Sequence, residues 1–99
     1  MMKKRSTFKK YTYLFQFFIE GVSQVKGEDG DSKIAAVKVS VMSTDKTITY
    51  WNGIIRVRLN EFGIYPIPED LKNITGPNTM KKMLLTEIRR YIKPQKPFL

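Results

Sequence analysis

The chain is long enough for one modest hydrophobic core and too short for two domains, because it has 99 residues. Its 18 Lys and Arg residues outnumber 9 acidic residues, and the net charge of +9 favours nucleic acid, anionic lipid or an acidic protein as the partner. It has no cysteine and no histidine, which excludes disulfides, thiol catalysis, cysteine- or histidine-ligated metal sites and the commonest general base near neutral pH.

The N-terminal end is strongly basic. We expect residues 1–7 to form a disordered arm that contacts phosphates, although a solvated tail is an equally good interpretation. The apolar run at residues 11–19 is interrupted by polar side chains and is followed by no small-residue cleavage site, so we expect an intracellular protein that is not secreted. The cations at this end are Lys3, Lys4, Arg5, Lys9 and Lys10.

The first predicted strand covers residues 8–25. Aromatic and aliphatic side chains alternate there, which is typical of a strand. A helix is the alternative, because Phe15, Phe18 and Val22 also have helical spacing. The polar residues 26–32, KGEDGDS, predict a turn or a flexible loop.

The second predicted strand covers residues 33–43, and residues 44–46 are expected to turn the chain. The predicted register places Val41 opposite Tyr50, so that the apolar faces of the two neighbouring strands coincide. The core positions of the second strand are then Ala35, Val37, Val39 and Val41.

The strongest local signal lies in the stretch KTITYWNGIIRVRL. Its Asn52-Gly53 pair predicts a two-residue hairpin turn between the third and fourth strands, because a type I′ turn needs two residues with positive φ. In that register one sheet face is apolar, and Trp51 lies with Arg56 and Arg58 on the other face. Trp51 has two alternatives, which are packing beneath the proline-rich connection that follows and packing in a dimer interface.

Residues 60–78 contain too many Pro and Gly residues for one long element. We expect a short helical turn near residues 68–74, since Pro68 suits the first position of a helix. The apolar side chains expected to hold this connection on the core are Phe62, Ile64, Tyr65 and Ile67.

A C-terminal helix is predicted from Asn78 or Thr79 to about Lys93, where Pro94 ends it. One broad apolar stripe is expected to cover the sheet, and the opposite side is basic, either as a binding surface or as an ordinary solvated face. The cations on that side are Lys82, Arg89, Arg90 and Lys93. Residues 94–99 form a tail that is either free or docked.

These elements predict an α+β fold. We expect an antiparallel four-stranded β-meander packed by one C-terminal α-helix, within a single domain at residues 8–93. Single-stranded nucleic-acid binders built as a curved meander closed by a helix have a similar element order, but this is an analogy of architecture alone. The sequence carries no RNP1 motif and no recognisable helix-turn-helix, and its GxxG match, GEDG at residues 27–30, is acidic and therefore has the wrong charge for a KH loop that contacts a nucleic-acid backbone.

The expected function is non-catalytic binding of single-stranded DNA or RNA on a basic and aromatic sheet face, with phosphate contacts from the arm. The nine carboxylates are scattered and no phosphate-cradling glycine motif is present, so we expect no enzyme, small-molecule substrate, cofactor or metal. Duplex binding through the helix is an alternative. The candidate binding residues are Lys3, Lys4, Arg5, Lys9, Lys10, Lys38, Trp51, Arg56, Arg58, Lys82, Arg89, Arg90 and Lys93.

The main competing hypothesis is a small homo-oligomeric protein-interaction or structural module, such as a viral or mobile-element accessory protein that acts on a host protein. An unpaired strand must end the meander at each side, and such an edge favours dimer formation or strand addition. We therefore expect a homodimer through a sheet edge or face. Membrane association is disfavoured, because the apolar side of the C-terminal helix is needed by the core.

Overall fold

Five antiparallel strands form one sheet in the order β1-β2-β3-β4-β5 in a computed structural model that describes residues 6–27 and 30–99. Each strand pairs with its neighbour in sequence, so the predicted α+β meander is confirmed with one strand more than expected. The predicted helical turn and C-terminal helix are also present. The elements are β1 Ser6–Lys10, β2 Tyr13–Gly27, β3 Gly30–Ser43, β4 Thr49–Asn60, β5 Gly63–Pro66, α1 Pro68–Leu71 and α2 Asn78–Ile92.

The strand count differs from the prediction at three places: a turn divides the first predicted strand into β1 and β2, the third and fourth predicted strands are the single strand β4, and β5 forms within the proline-rich connection. Tyr11 adopts a left-handed conformation with φ of 55°, and the chain folds back so that Lys10 pairs with Tyr13. No Gly, Pro or Asn marks this turn, which explains why the alternating pattern did not reveal it. The helix alternative is wrong, and Ser6 and Thr7 belong to a strand and not to a disordered arm.

The chain reverses direction within residues 26–32 as predicted, but the strands extend further into this segment than expected. The ladder between β2 and β3 continues to the pair Gly27 and Gly30, with Lys26 opposite Asp31. The ladder between β3 and β4 reaches only Lys33, so this end of the hairpin extends beyond the other strands. Side chains on both faces of this end of the hairpin are exposed to solvent. Its polar composition therefore reflects exposure and does not indicate an irregular backbone.

The hairpin turn predicted at Asn52-Gly53 does not exist. Both residues lie inside the continuous strand β4, where Asn52 pairs with Ser40 and Gly53 pairs with Val39. Gly53 does not have a positive φ. A Cβ at this position would lie 2.4 Å from a ring carbon of Trp51, so Gly53 makes room for the indole.

The turn between β3 and β4 begins at residue 44, as the sequence predicted. Ser43 N–H donates to the Ile48 carbonyl at 2.8 Å, and Asp45 accepts hydrogen bonds from the hydroxyls of Ser43 and Thr47. These hydrogen bonds lower the pKa of Asp45 to about 2. A β-bulge beside Val41 then places Trp51, and not Tyr50, opposite Val41, which corrects the predicted register by one residue.

Helix α2 packs on one face of the sheet and contacts both the β1 and β5 edges as well as β2. The sheet therefore curls around the helix. The predicted core positions of β3 are all buried, and Tyr91 of α2 accepts a hydrogen bond at 3.1 Å from the Ile19 N–H, next to a bulge in β2. The residues that fill the core are Phe15, Phe17, Ile19, Ala35, Val37, Val39, Val41, Ile55, Val57, Leu59, Ile74, Met80, Leu84, Ile88, Tyr91, Ile92 and Leu99.

The C-terminal tail is docked. Residues Lys96–Phe98 form a 3₁₀ turn, and Gln95 and Leu99 are buried. The Gln95 amide donates to the Tyr91 carbonyl at 2.8 Å, and the Lys33 ammonium donates to the Leu99 carbonyl. The tail is therefore held against both α2 and β3.

Candidate nucleic-acid interface

Trp51 lies on the core face of the sheet and not beside Arg56 and Arg58. Its side chain is half-buried, and the indole N–H donates to the Asn73 carbonyl at 3.0 Å. The expected surface that combines this tryptophan with the two arginines is therefore wrong. The alternative, packing beneath the proline-rich connection, is confirmed. Strand β4 has no turn at Gly53, so residue 51 keeps the facing of the core residues Ile55 and Val57.

Arg56 has an acidic partner that the sequence did not reveal. Its backbone N–H and its Nε and Nη2 groups donate to the Asp70 carboxylate at 2.8, 2.9 and 2.9 Å. This hydrogen bonding lowers the pKa of Asp70. Asp70 belongs to α1 and covers the backbone of β4 just beyond the end of β5, so this pair holds α1 against the sheet.

The sheet face opposite α2, here called the open face, carries three further candidate cations. Lys9, Lys38 and Arg58 are all exposed on it. Lys38 pairs with Ile54, and Arg58 is four residues further along β4, which separates the two cations by about 13 Å. The open face therefore presents dispersed cations and no cluster.

The cations at the C-terminal end of α2 line one groove. Ile88, Tyr91 and Ile92 are buried against the sheet, which leaves Arg89 and Lys93 facing outward. Together with neighbouring residues they line a groove of about 610 Å³ between α2, β5 and the 3₁₀ turn. The residues of this basic groove are Gly63, Ile64, Thr86, Arg89, Arg90, Lys93 and Lys96.

Four cations line the basic groove and no carboxylate is among its described lining residues, but one of the four, Arg90, is paired with the buried carboxylate of Glu87. On the β5 side of the groove few side-chain atoms project toward solvent, because Gly63 has no side chain and Ile64 is half-buried against the core. Asn60 fixes the turn on that side through its Oδ1, which accepts hydrogen bonds from the N–H groups of Phe62 and Gly63. The groove is therefore positively charged, and the turn that forms its β5 side is held by hydrogen bonds.

Glu87 lies behind the groove as a buried carboxylate. Its Oε1 is 3.2 Å from Nη1 of Arg90 and 3.6 Å from the ammonium of Lys10. Arg90 thus contributes to the groove and to an internal ion pair, while Lys10 faces the helix and not the open face. This triad links β1 to α2.

The predicted site residues separate into several groups. Arg89, Arg90 and Lys93 meet in the basic groove, and Lys82 is exposed on the same helix. Lys96 is a groove residue that the sequence does not reveal, because local pattern does not distinguish a free tail from a docked one. The candidates in the arm, Lys3, Lys4 and Arg5, lie outside the described residues.

Comparison with known proteins gives no match to a family model, to a curated protein or to a solved structure. No helix in the described ranges 6–27 and 30–99 has the length and apolar character to cross a membrane. Within the same ranges no three Asp or Glu side chains come together in a way that would hold a metal ion.

Proposed function

We propose that this protein binds nucleic acid without catalysis, through phosphate contacts in the basic groove. The observation that carries the proposal is the convergence of Arg89, Arg90, Lys93 and Lys96 on one channel whose described lining contains no acidic side chain. A concave surface of one charge raises the local concentration of a polyanion. The groove replaces the sheet face with Trp51 as the favoured interface.

The two arginines and two lysines have different tasks in this proposal. A guanidinium can donate two parallel hydrogen bonds to one phosphate, so Arg89 and Arg90 orient the backbone. Lys93 and Lys96 act as mobile point charges. Contacts of this kind release counterions and carry no direct sequence information, so affinity is expected to fall steeply with salt and to vary little with base sequence.

The predicted homodimer through a sheet edge is a separate proposal. β1 and β5 end the sheet, and both carry features that hinder edge pairing. Lys9 and Lys10 place positive charge on β1, and Pro66 removes a backbone donor from β5. We therefore assign binding to the groove of a single chain.

The experiment compares two triple variants with equal charge. The groove variant carries Arg89→Gln, Lys93→Gln and Lys96→Gln, and the control carries Lys9→Gln, Lys38→Gln and Arg58→Gln on the open face. Fluorescence anisotropy with a labelled oligodeoxythymidylate and a duplex of equal length, between about 50 and 200 mM salt, gives the slope of log affinity against log salt.

We expect the groove variant to reduce the size of that slope by about 2 to 3 and the control to change it little. Equal effects of the two variants would mean diffuse attraction and would contradict a groove. A larger effect of the control would move the interface to the open face. Failure of the wild-type protein to bind either oligonucleotide would refute the function.

A further inference from the structure

Two phenylalanines that are close in sequence to lining residues of the basic groove are exposed to solvent. Phe62 is 77% exposed and Phe98 is 55% exposed. Phe62 was expected to hold the connection on the core, so its position corrects that expectation. Neither ring contacts another aromatic ring within the described residues. Singly exposed apolar side chains are normal on a protein surface, so these two residues are of interest for their position in the chain and not for their exposure alone.

Both rings lie next to residues that line depressions in the surface. Phe62 is between Glu61 and Gly63, and Phe98 follows Pro97. Gly63 lines the basic groove, while Glu61 and Pro97 line a neighbouring depression, and Lys96 borders both. The backbone at residues 62 and 98 therefore lies near the end of the basic groove that Lys96 lines.

Resting on the proposed function, we infer that the ligand is a single strand whose bases stack on Phe62 and Phe98 while its phosphates occupy the basic groove. A cationic channel flanked by exposed aromatic rings is the arrangement that holds single strands. Base faces are open to stacking in a single strand and are covered by neighbouring pairs in a duplex. A duplex would use the cations alone and would gain nothing from the two rings.

Hydrogen bonds fix the backbone at both phenylalanines, and more than half of each side chain is exposed. The Phe62 N–H is fixed by the Asn60 side chain at 2.8 Å, and the Phe98 N–H donates to the Gln95 carbonyl at 2.9 Å. The backbone positions are thus defined while the side chains face solvent. A strand that binds here does not have to displace a packed ring.

The test compares three probes of equal length: an oligodeoxythymidylate, an abasic strand that has the same phosphates without bases, and a duplex. The variants are Phe62→Ala with Phe98→Ala, and Phe62→Tyr with Phe98→Tyr, which keeps aromatic faces. Circular dichroism and thermal melting check that both variants fold. All titrations use the same salt concentration, so that the phosphate contribution is constant.

We expect the alanine variant to weaken thymidylate binding by roughly 5-fold to 150-fold for each stacked base that is lost. Binding of the abasic strand and the duplex should not change, and the tyrosine variant should retain thymidylate binding. If the wild-type protein binds thymidylate and abasic strands equally, the stacking inference is wrong and the proposed function stands. If the wild-type protein binds none of the probes, the proposed function fails and the inference fails with it.

Discussion

Strand β4 and helix α2 both carry residues that look functional in the sequence, and the fold uses them differently. On β4, Trp51 donates to Asn73, and Arg56 is held by Asp70. At the C-terminal end of α2, Arg89 and Lys93 face the basic groove. A cation or an aromatic ring therefore indicates a binding site only after its possible partners within the chain have been located.

The largest effect on the free energy of unfolding is expected from a substitution of Gly53 in β4. Gly53→Ala places a Cβ against the Trp51 indole, and we expect it to lower the free energy of unfolding by about 1–3 kcal/mol. In a Trp51→Ala background the same substitution should cost much less, because the clash is gone. Denaturant melts of the two single variants and the double variant measure this coupling.

An equal cost of Gly53→Ala in both backgrounds would contradict this role for the glycine. It would mean that Gly53 is needed for its backbone conformation, as the sequence first indicated. Oligonucleotide affinity measured on the folded fraction should be the same for all three variants, since none of them touches the basic groove.

A smaller effect is expected at the Arg56–Asp70 pair. The pKa of Asp70 is lowered in the folded state, so the pair stabilises the fold above the unfolded pKa of about 3.9, and this contribution is lost as pH falls through the lower folded value. Asp70→Asn should therefore be less stable than wild type at neutral pH, and the difference should shrink below about pH 4. Thermal melts across that range measure it.

Glu69→Gln is the matched control for Asp70→Asn. Glu69 is the neighbouring carboxylate of α1 and makes no ion pair with the described residues. Its variant should keep the wild-type dependence of stability on pH. A parallel stability loss at every pH for Asp70→Asn would show that the carboxylate acts through shape and not through its charge.

The smallest effect on stability is expected for the groove variant with Arg89→Gln, Lys93→Gln and Lys96→Gln. Arg89 is in the last turn of α2, where a cation interacts favourably with the helix dipole, and its loss should cost about 0.3–1 kcal/mol. Lower net positive charge partly offsets this loss. A thermal melt that shows a large destabilisation would mean that the groove cations serve the fold as Arg56 does.

Much of the fold could be predicted because it depends on local pattern. The alternation in β3 gave its core positions, and the apolar stripe with Pro94 gave α2. The turn at Asp45 followed from residues that form hydrogen bonds within a few positions of each other. Signals of this kind do not depend on distant parts of the chain.

The errors have a tertiary origin. Asn52-Gly53 has the composition of a turn, but Gly53 is required by the Trp51 ring, and the ring is positioned by Asn73, which is 22 residues away from it in sequence. The partner of Arg56 is equally invisible in local sequence. Lys96 reaches the basic groove only because Gln95 and Leu99 are buried and dock the tail.

The buried carboxylate of Glu87 connects the basic groove to the opposite end of the chain. Glu87 is 2% exposed and shares its negative charge between Arg90 of the groove and Lys10 of β1. An anion that drew the Arg90 guanidinium toward itself would leave Lys10 as the only ion-pair partner of Glu87 among the described residues. The ion pair between Lys10 of β1 and Glu87 would then contribute more to holding β1 against α2. Occupancy of the groove and the hold of β1 on the molecule are then thermodynamically linked, and each changes the other by the same free energy.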